Sequence, residues 1–306
     1  MIMNIAGKPI AIVEAPSNLG LKPPSPGREP GAGRAPAALR RAGLHELVSP
    51  TRVVRIDPPA YAADENRAVN VRNMAAIAEY SRRLADATGS CLAGGEFPLV
   101  LGGDCSILLG NMLGLRRRGE PALIYIDGHT DFYLPEQSTS GGAAGMDLAF
   151  VTGWGPEALT NIEGLMPYVR EERVAALGNR DVDRPPPAPI PYASASRMHY
   201  RDLAGLRKTG MARAAKEALA AVHDGKPRDI FLHIDVDVLD STIMPAVDSP
   251  QPDGLRYDEL TALLKAIIAS GLITGMEVTI FDPDLDPDGH LARELAMLLS
   301  DSLRAG

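Results

Sequence analysis

Short apolar runs rich in β-branched residues alternate along this chain with stretches of helical spacing, and three of the runs lead straight into acids. The runs are 9–13, 53–56, 98–101, 122–126, 173–177, 230–234 and 273–279. Runs this short and this continuously apolar read as strands buried on both faces. Between them, 71–87 sets Met74, Ile77, Ala78, Leu84 and Ala85 on one helical face. The stretches 211–222 and 257–269 do likewise, and 293–303 closes the chain. Strands alternating with helices predict an α/β fold with a mainly parallel sheet, helices on both faces and right-handed crossovers. Segments 15–36 and 183–198, rich in Pro, Gly and Ser, are expected as loops over a sheet edge or a site. Neither flanks a change of composition, so residues 1–306 are expected to form a single domain.

In an open α/β sheet, ligands gather at the carboxyl ends of the strands. Asp104 and Cys105 follow 98–101, Asp127, His129 and Asp131 follow 122–126, and Asp235 and Asp237 follow 230–234. Side chains at i, i+2 and i+4 of an extended segment point the same way, so Asp127, His129 and Asp131 can reach one centre, as can Asp235 and Asp237. Carboxylates crowded in this way repel one another unless cations neutralise them. Carboxylate oxygens with an imidazole suit Mn²⁺, Fe²⁺, Co²⁺, Ni²⁺ or Zn²⁺. Two such ions, about 3.5–4 Å apart and bridged by shared aspartates, could hold a hydroxide between them. A lone Asp after a strand is usually a cap or a solvated loop carboxylate, but three such blocks in one chain are not.

Composition narrows the partners. A formal net charge of −8 argues against nucleic acid or an acidic membrane surface, which call for a basic face. No apolar run approaches the ~20 residues of a membrane span. Met1 to Gly7 lacks a charged segment leading into an apolar one, so no secretory signal is expected. Cys91 and Cys105 are expected as free thiols in a cytoplasmic protein.

The three blocks, Gly102-Gly103-Asp104-Cys105-Ser106, Asp127-Gly128-His129-Thr130-Asp131 and His233-Ile234-Asp235-Val236-Asp237, resemble the metal signature of the arginase/agmatinase family, the ureohydrolases. Segments 178–183 and 252–255, and Glu277 in Gly275-Met276-Glu277-Val278, extend the resemblance over most of the chain. It implies a three-layer α/β/α sandwich, two Mn²⁺ ions and hydrolysis of a small guanidine to urea and an amine. It further implies a homo-oligomer, a trimer or hexamer. Carried onto this chain, one ion would be held by Cys105, Asp127, Asp131 and Asp235, and the other by His129, Asp127, Asp235 and Asp237. Asp131 would also orient the hydroxide, and Glu277 would grip the planar guanidinium.

The departures from the family pattern are specific. The first block of the family carries histidine where this chain has Cys105. Arginases read Ser-Gly-Asn-x-His-Gly where this chain has Ser140-Gly141-Gly142-Ala143-Ala144-Gly145, so a proposed proton shuttle becomes Ala144. An upstream Asn that reads the amino acid's carboxylate becomes Tyr133. Asp183 matches an acid that contacts the α-amino group, and Ser249 falls near a substrate-contacting Thr. With Ser140, these residues are the candidate substrate contacts.

A thiolate adds negative charge, so the ions become weaker Lewis acids and the hydroxide scarcer at neutral pH. That disfavours an ordinary guanidinium and favours a less basic, activated guanidine. The motifs resemble most closely the Nω-hydroxy-L-arginine hydrolase branch, which releases hydroxyurea. Other readings are an agmatinase or guanidino-acid hydrolase, and a non-catalytic metal-binding relative with Cys105 as a small buried hydrophobe or a redox-sensitive group. His233 could point toward the site, though a histidine bonded within the sheet is the plainer expectation. Trp154 is expected in the core or an interface.

Overall fold

The computed structural model describes residues 3–62, 69–180, 196–226 and 228–304. Its centre is a nine-stranded sheet. The strands are β1 (Asn4–Ile5), β2 (Lys8–Ala15), β3 (Arg52–Arg55), β4 (Phe97–Gly102), β5 (Ala122–Ile126), β6 (Val174–Leu177), β7 (His199–Arg201), β8 (Ile230–Asp235) and β9 (Ile273–Thr279). They run in the order β1-β2-β4-β9-β8-β5-β6-β7, with β3 also paired to β2. Only β1 is antiparallel to its neighbour. The fold is thus the expected α/β class, with a mainly parallel sheet flanked by helices.

Alternation along each strand divides the core into two layers. Ile10, Ile12, Leu99, Leu101, Ile124, Ile126, Leu232 and Ile234 face one side, with the helices Met211–Val222, Tyr257–Ile268 and His290–Leu303 packed over them. Ala11, Val13, Val100, Leu123 and Phe231 face the other, beneath the helices Met74–Ala93 and Ile107–Arg116. Each fully buried Leu, Ile or Phe contributes about 1.5–3 kcal/mol of transfer free energy. Helix ends are fixed locally. Asp202 accepts from Gly205 N at 2.7 Å, and Glu259 accepts from Arg256 N at 2.9 Å while adding negative charge to the first turn of its helix.

The predicted strands are all present, shifted by at most two residues at an end. The helix from Met74 extends to Ala93, six residues past the predicted 87, because its apolar stripe continues through Cys91 and Leu92. Of the expected loop 15–36, positions 16–30 are loop, whereas Ala15 ends β2, Gly31–Arg34 form a short turn of helix and the helix Ala35–Arg41 begins inside the segment. Of the predicted loop 183–198, positions 183–195 lie outside the described residues. Both thiols are free and buried. No helix among the described residues is long and apolar enough to cross a membrane.

Candidate metal centre

Register builds the site. β4, β9, β8 and β5 are neighbours, and Val100, Glu277, His233 and Tyr125 are cross-strand partners in a single row. Two residues further on, toward the carboxyl ends, Thr279 pairs with Asp235. Asp127 follows β5 at the same level. Side chains two apart on a strand share a face. A row of Thr279, Asp235 and Asp127 therefore stands above a row of Glu277, His233 and Tyr125.

The loops add the remaining groups. After β4 the backbone passes so close to its neighbour that a Cβ on Gly103 would meet Ser17 O at 2.2 Å. This turn delivers Cys105 beside Asp235, to whose Oδ2 the thiol donates at 2.8 Å, with Thr279 Oγ1 3.0 Å away. The Asp127 carboxylate is aimed by His129 N, 2.6 Å away, and the Asp235 carboxylate by Asp237 N, 2.7 Å away. Asp237 accepts from Gly128 N at 3.1 Å and lies 2.8 Å from His129 Nδ1. The donor atoms of Cys105, Asp127, His233 and Asp235 all lie within 4.8 Å of one another, and those of Asp127, His129 and Asp237 form a second group within the same limit. Asp127 belongs to both.

The cluster carries more negative charge than its surroundings balance. Burial, then Asp127 and the other nearby acids, push Asp131 well above the usual carboxylate range. Burial, Asp237 and Asp127 do the same to Asp235. Burial and the same acids push the Cys105 thiol up. Asp237 goes the other way: burial raises it, but the charge and hydrogen bond of His129 outweigh that. At His233 burial disfavours the cation, yet Asp127 and Glu277 outweigh it and push the imidazole up to about 10. His233 Nε2 is buried with no hydrogen-bond partner. Crowded carboxylates, a thiol, two imidazoles and an orphaned buried nitrogen make a donor set that fits divalent metal.

The groups open into a cleft of about 600 Å³. His129, Asp131, Asp235 and Asp237 lie along its lining, together with Tyr133, Ser138, Ser140, Asp248, Ser249 and Gln251. Gln251 Nε2 is 2.9 Å from His129 Nε2. The wall at 140–145 is pinned by Arg72, whose Nε donates to Ser140 O and whose N donates to Gly141 O, each at 2.8 Å. At Gly142 a Cβ would meet Gly20 O at 2.7 Å, so the backbone packing favours glycine where arginases carry Asn. Asp131 and Ile280, both against the cleft, have φ of 43° and 71°, strained values for non-glycine residues that concentrate at functional sites.

Cys105, Asp127, His129, Asp235 and Asp237 come together in the two groups. Asp131 borders the groups without belonging to either, its Oδ2 3.4 Å from the Tyr125 hydroxyl. Tyr133, Ser140 and Ser249 line the cleft. Glu277 is fully buried below it, its carboxylate 2.6 Å from His233 Nδ1 and hydrogen-bonded by Asn111 Nδ2. Asp104, expected at the rim, instead accepts from Ser17 Oγ at 2.8 Å and Ser106 N at 2.9 Å, which holds the turn. Trp154 is 40% exposed and bonded to Glu171, outside the core. Asp183 lies outside the described residues. Two buried groups carry no sequence motif: Tyr125, whose hydroxyl is 2.7 Å from Asp127 Oδ2, and Asp147, 3.0 Å from the same hydroxyl. Strand alternation alone could have marked Tyr125, since it sits two residues before Asp127.

The chain matches the family model for the arginase family over residues 8–303. It is 32% identical to an arginase of Bacillus caldovelox, covering 97% of this chain and 98% of that one. It is 30% identical to an arginase of Brevibacillus brevis, covering 96% and 97%. The solved arginase structure from Bacillus caldovelox superposes with a TM-score of 0.85 at 29% identity, over 97% of this chain and 98% of that one.

Proposed function

Because the chain belongs to the arginase family, as a hydrolase acting on linear amidines, we propose that it hydrolyses an activated guanidine, best represented by Nω-hydroxy-L-arginine, with two divalent ions, Mn²⁺ by family. The products would be hydroxyurea and an amine. Cys105, Asp127 and Asp235 would hold one ion, and Asp127, His129 and Asp237 the other. Bound there, the ions would supply Lewis acidity and lower the pKa of water in the cleft.

The observation that supports the activated substrate is Cys105, whose Sγ lies 2.8 Å from Asp235 Oδ2 inside the donor group. An anionic sulfur in place of a neutral imidazole lowers the net positive charge offered to substrate and water. The resonance-stabilised guanidinium is then a poor target, whereas a guanidine of lower basicity remains attackable. The cleft wall supports the same reading. Ala144 and Gly142 leave it without the proton-carrying imidazole and the amide of arginases.

Proton handling then falls to Asp131. Its carboxylate lies on the cleft, and its surroundings favour the protonated form. With divalent ions in the cleft its ionised form would be favoured, and the carboxylate could then take a proton from water and return it to the departing nitrogen. Gln251 and Asp237 hold the His129 ring from both nitrogens. Tyr133, Ser140 and Ser249 offer hydroxyls to the substrate's tail.

The test is to assay the Mn²⁺-loaded protein on L-arginine, agmatine and Nω-hydroxy-L-arginine side by side. The expected kcat/KM favours the hydroxylated compound by at least ~10-fold, equivalent to ~1.4 kcal/mol of transition-state stabilisation. Faster turnover of L-arginine or agmatine would overturn the substrate assignment. No product from any guanidine would favour a non-catalytic relative.

A further inference from the structure

We propose that His233 is a metal ligand, the imidazole of the ion beside Cys105, and that Glu277 serves the site through His233 instead of gripping the guanidinium. This rests on the two-ion reading above.

Every constraint on the ring aims it at the Cys105 group. β8 places His233 on the same face as Asp235, one row below it. The ring lies flat against its cross-strand neighbour Tyr125, with centroids 4.4 Å apart and planes 5° from parallel. Nδ1 is 2.6 Å from Glu277 Oε1, and Glu277 Oε2 is held by Asn111 Nδ2. Asn111 in turn accepts from Thr88 Oγ1 at 2.6 Å. Thr88, Asn111 and Glu277 are all buried, so a dry chain of hydrogen bonds runs from the helix Met74–Ala93 through the helix Ile107–Arg116 to the ring.

The chain ends on Nε2, which has no hydrogen-bond partner and lies within 4.8 Å of donor atoms on Cys105, Asp127 and Asp235. In the metal-free site a proton on Nε2 finds no acceptor, since Asp127 Oδ2 stands 3.9 Å away, beyond hydrogen-bond reach, and a divalent ion would take that proton's place. A lone pair aimed at a shared cation satisfies the atom. A metal-bound imidazole characteristically gives its other N–H to a carboxylate, which fixes tautomer and orientation. Glu277 occupies that place. The nitrogen that Cys105 removes from one side of the ion is thus restored from the sheet below, giving a sulfur, nitrogen and carboxylate set.

Co²⁺ is the probe, because a thiolate ligand gives it a near-ultraviolet charge-transfer band. The metal-depleted full chain is titrated with Co²⁺, and X-ray absorption at the cobalt edge counts imidazole rings. The expected result for the natural sequence is a thiolate band and one ring per cobalt at two cobalt ions per chain, from His129 and His233. Half a ring per cobalt, with the thiolate band present, would overturn the role of His233 and leave the two-ion reading standing. No cobalt binding or no thiolate band would overturn both. In His233→Asn, the ion that gives the band should bind about 10- to 100-fold more weakly, the other ion being retained. Unchanged affinity and band would overturn the proposal. Glu277→Gln separates the two roles of that residue. A shifted cobalt band with KM for the guanidine unchanged is expected, whereas a raised KM with the band unmoved would return Glu277 to the guanidinium.

Discussion

Removing the divalent ions should destabilise the folded chain, and increasingly so as pH rises. The magnitude follows from linkage. An ion present at 100 times its Kd stabilises the folded state by ~2.7 kcal/mol, so two independent ions give ~5.4 kcal/mol. Unfolding entropy of ~2.1 cal/mol/K per residue over 306 residues is ~0.64 kcal/mol/K, so chelation should lower Tm by ~8 °C. The pH dependence has a definite sign. Burial and the neighbouring acids raise Asp131 and Asp235 above 3.8 in the folded chain, so their contribution to stability is present below 3.8 and lost as pH rises through the folded values. Asp237, lowered by His129, opposes this but is a single group against two. Divalent ions bind the ionised carboxylates and displace the Cys105 proton, so their benefit grows over the same range. Calorimetry in chelator and in excess Mn²⁺, from about pH 5 to about pH 8, reads the difference directly. An increment that is absent, or that shrinks with rising pH, would refute the picture of an uncompensated carboxylate cluster awaiting cations.

Other perturbations test separate parts of the site. Cys105→His should shift kcat/KM toward unmodified guanidines, measured on L-arginine against Nω-hydroxy-L-arginine. An unchanged preference together with unchanged metal content would remove the thiolate argument. Tyr125→Phe deletes the hydroxyl 2.7 Å from Asp127 Oδ2 and 3.0 Å from Asp147 Oδ1, taking a donor from two buried carboxylates while Leu148 N still serves Asp147 Oδ1. It should cost about 1–3 kcal/mol in denaturant unfolding and weaken metal binding about 10-fold by calorimetric titration. Gly103→Ala would drive a Cβ to 2.2 Å from Ser17 O and 2.9 Å from Ala15 O, both backbone atoms. Unfolding measurements should show a loss of about 3 kcal/mol or more, and elemental analysis should show depleted metal, because the same turn carries Cys105.

The strands were legible because both faces of the sheet are covered. Ala122–Ile126 is continuously apolar and Ile273–Thr279 is rich in β-branched residues, and their bounds can be read to the residue. The two-residue β1 and the three-residue β7 were not, since Asn4–Ile5 and His199–Arg201 have no periodicity to display. The helix Ile107–Arg116 is buried along all but its last residue, and a sequence apolar all round has no stripe to betray its period.

At the site, Asp127, His129 and Asp237 could be read from spacing, because i and i+2 positions after a strand share a direction. Asp104 could not be told from its neighbours, since only the approach of Ser17 decides that it braces the turn. Glu277 and His233 reach each other through the β8–β9 register, a long-range fact that no local motif contains. Asp147 belongs with them by tertiary packing alone.

The most direct measurement counts metal and product in one sample. Chelated protein is titrated with Mn²⁺ while bound ion, amine and urea or hydroxyurea are quantified. The account predicts that turnover climbs with loading and levels off at two ions per chain, with amine and urea-type product released in equal amounts. Turnover independent of added metal, or a fully loaded protein that cleaves no guanidine, would contradict it.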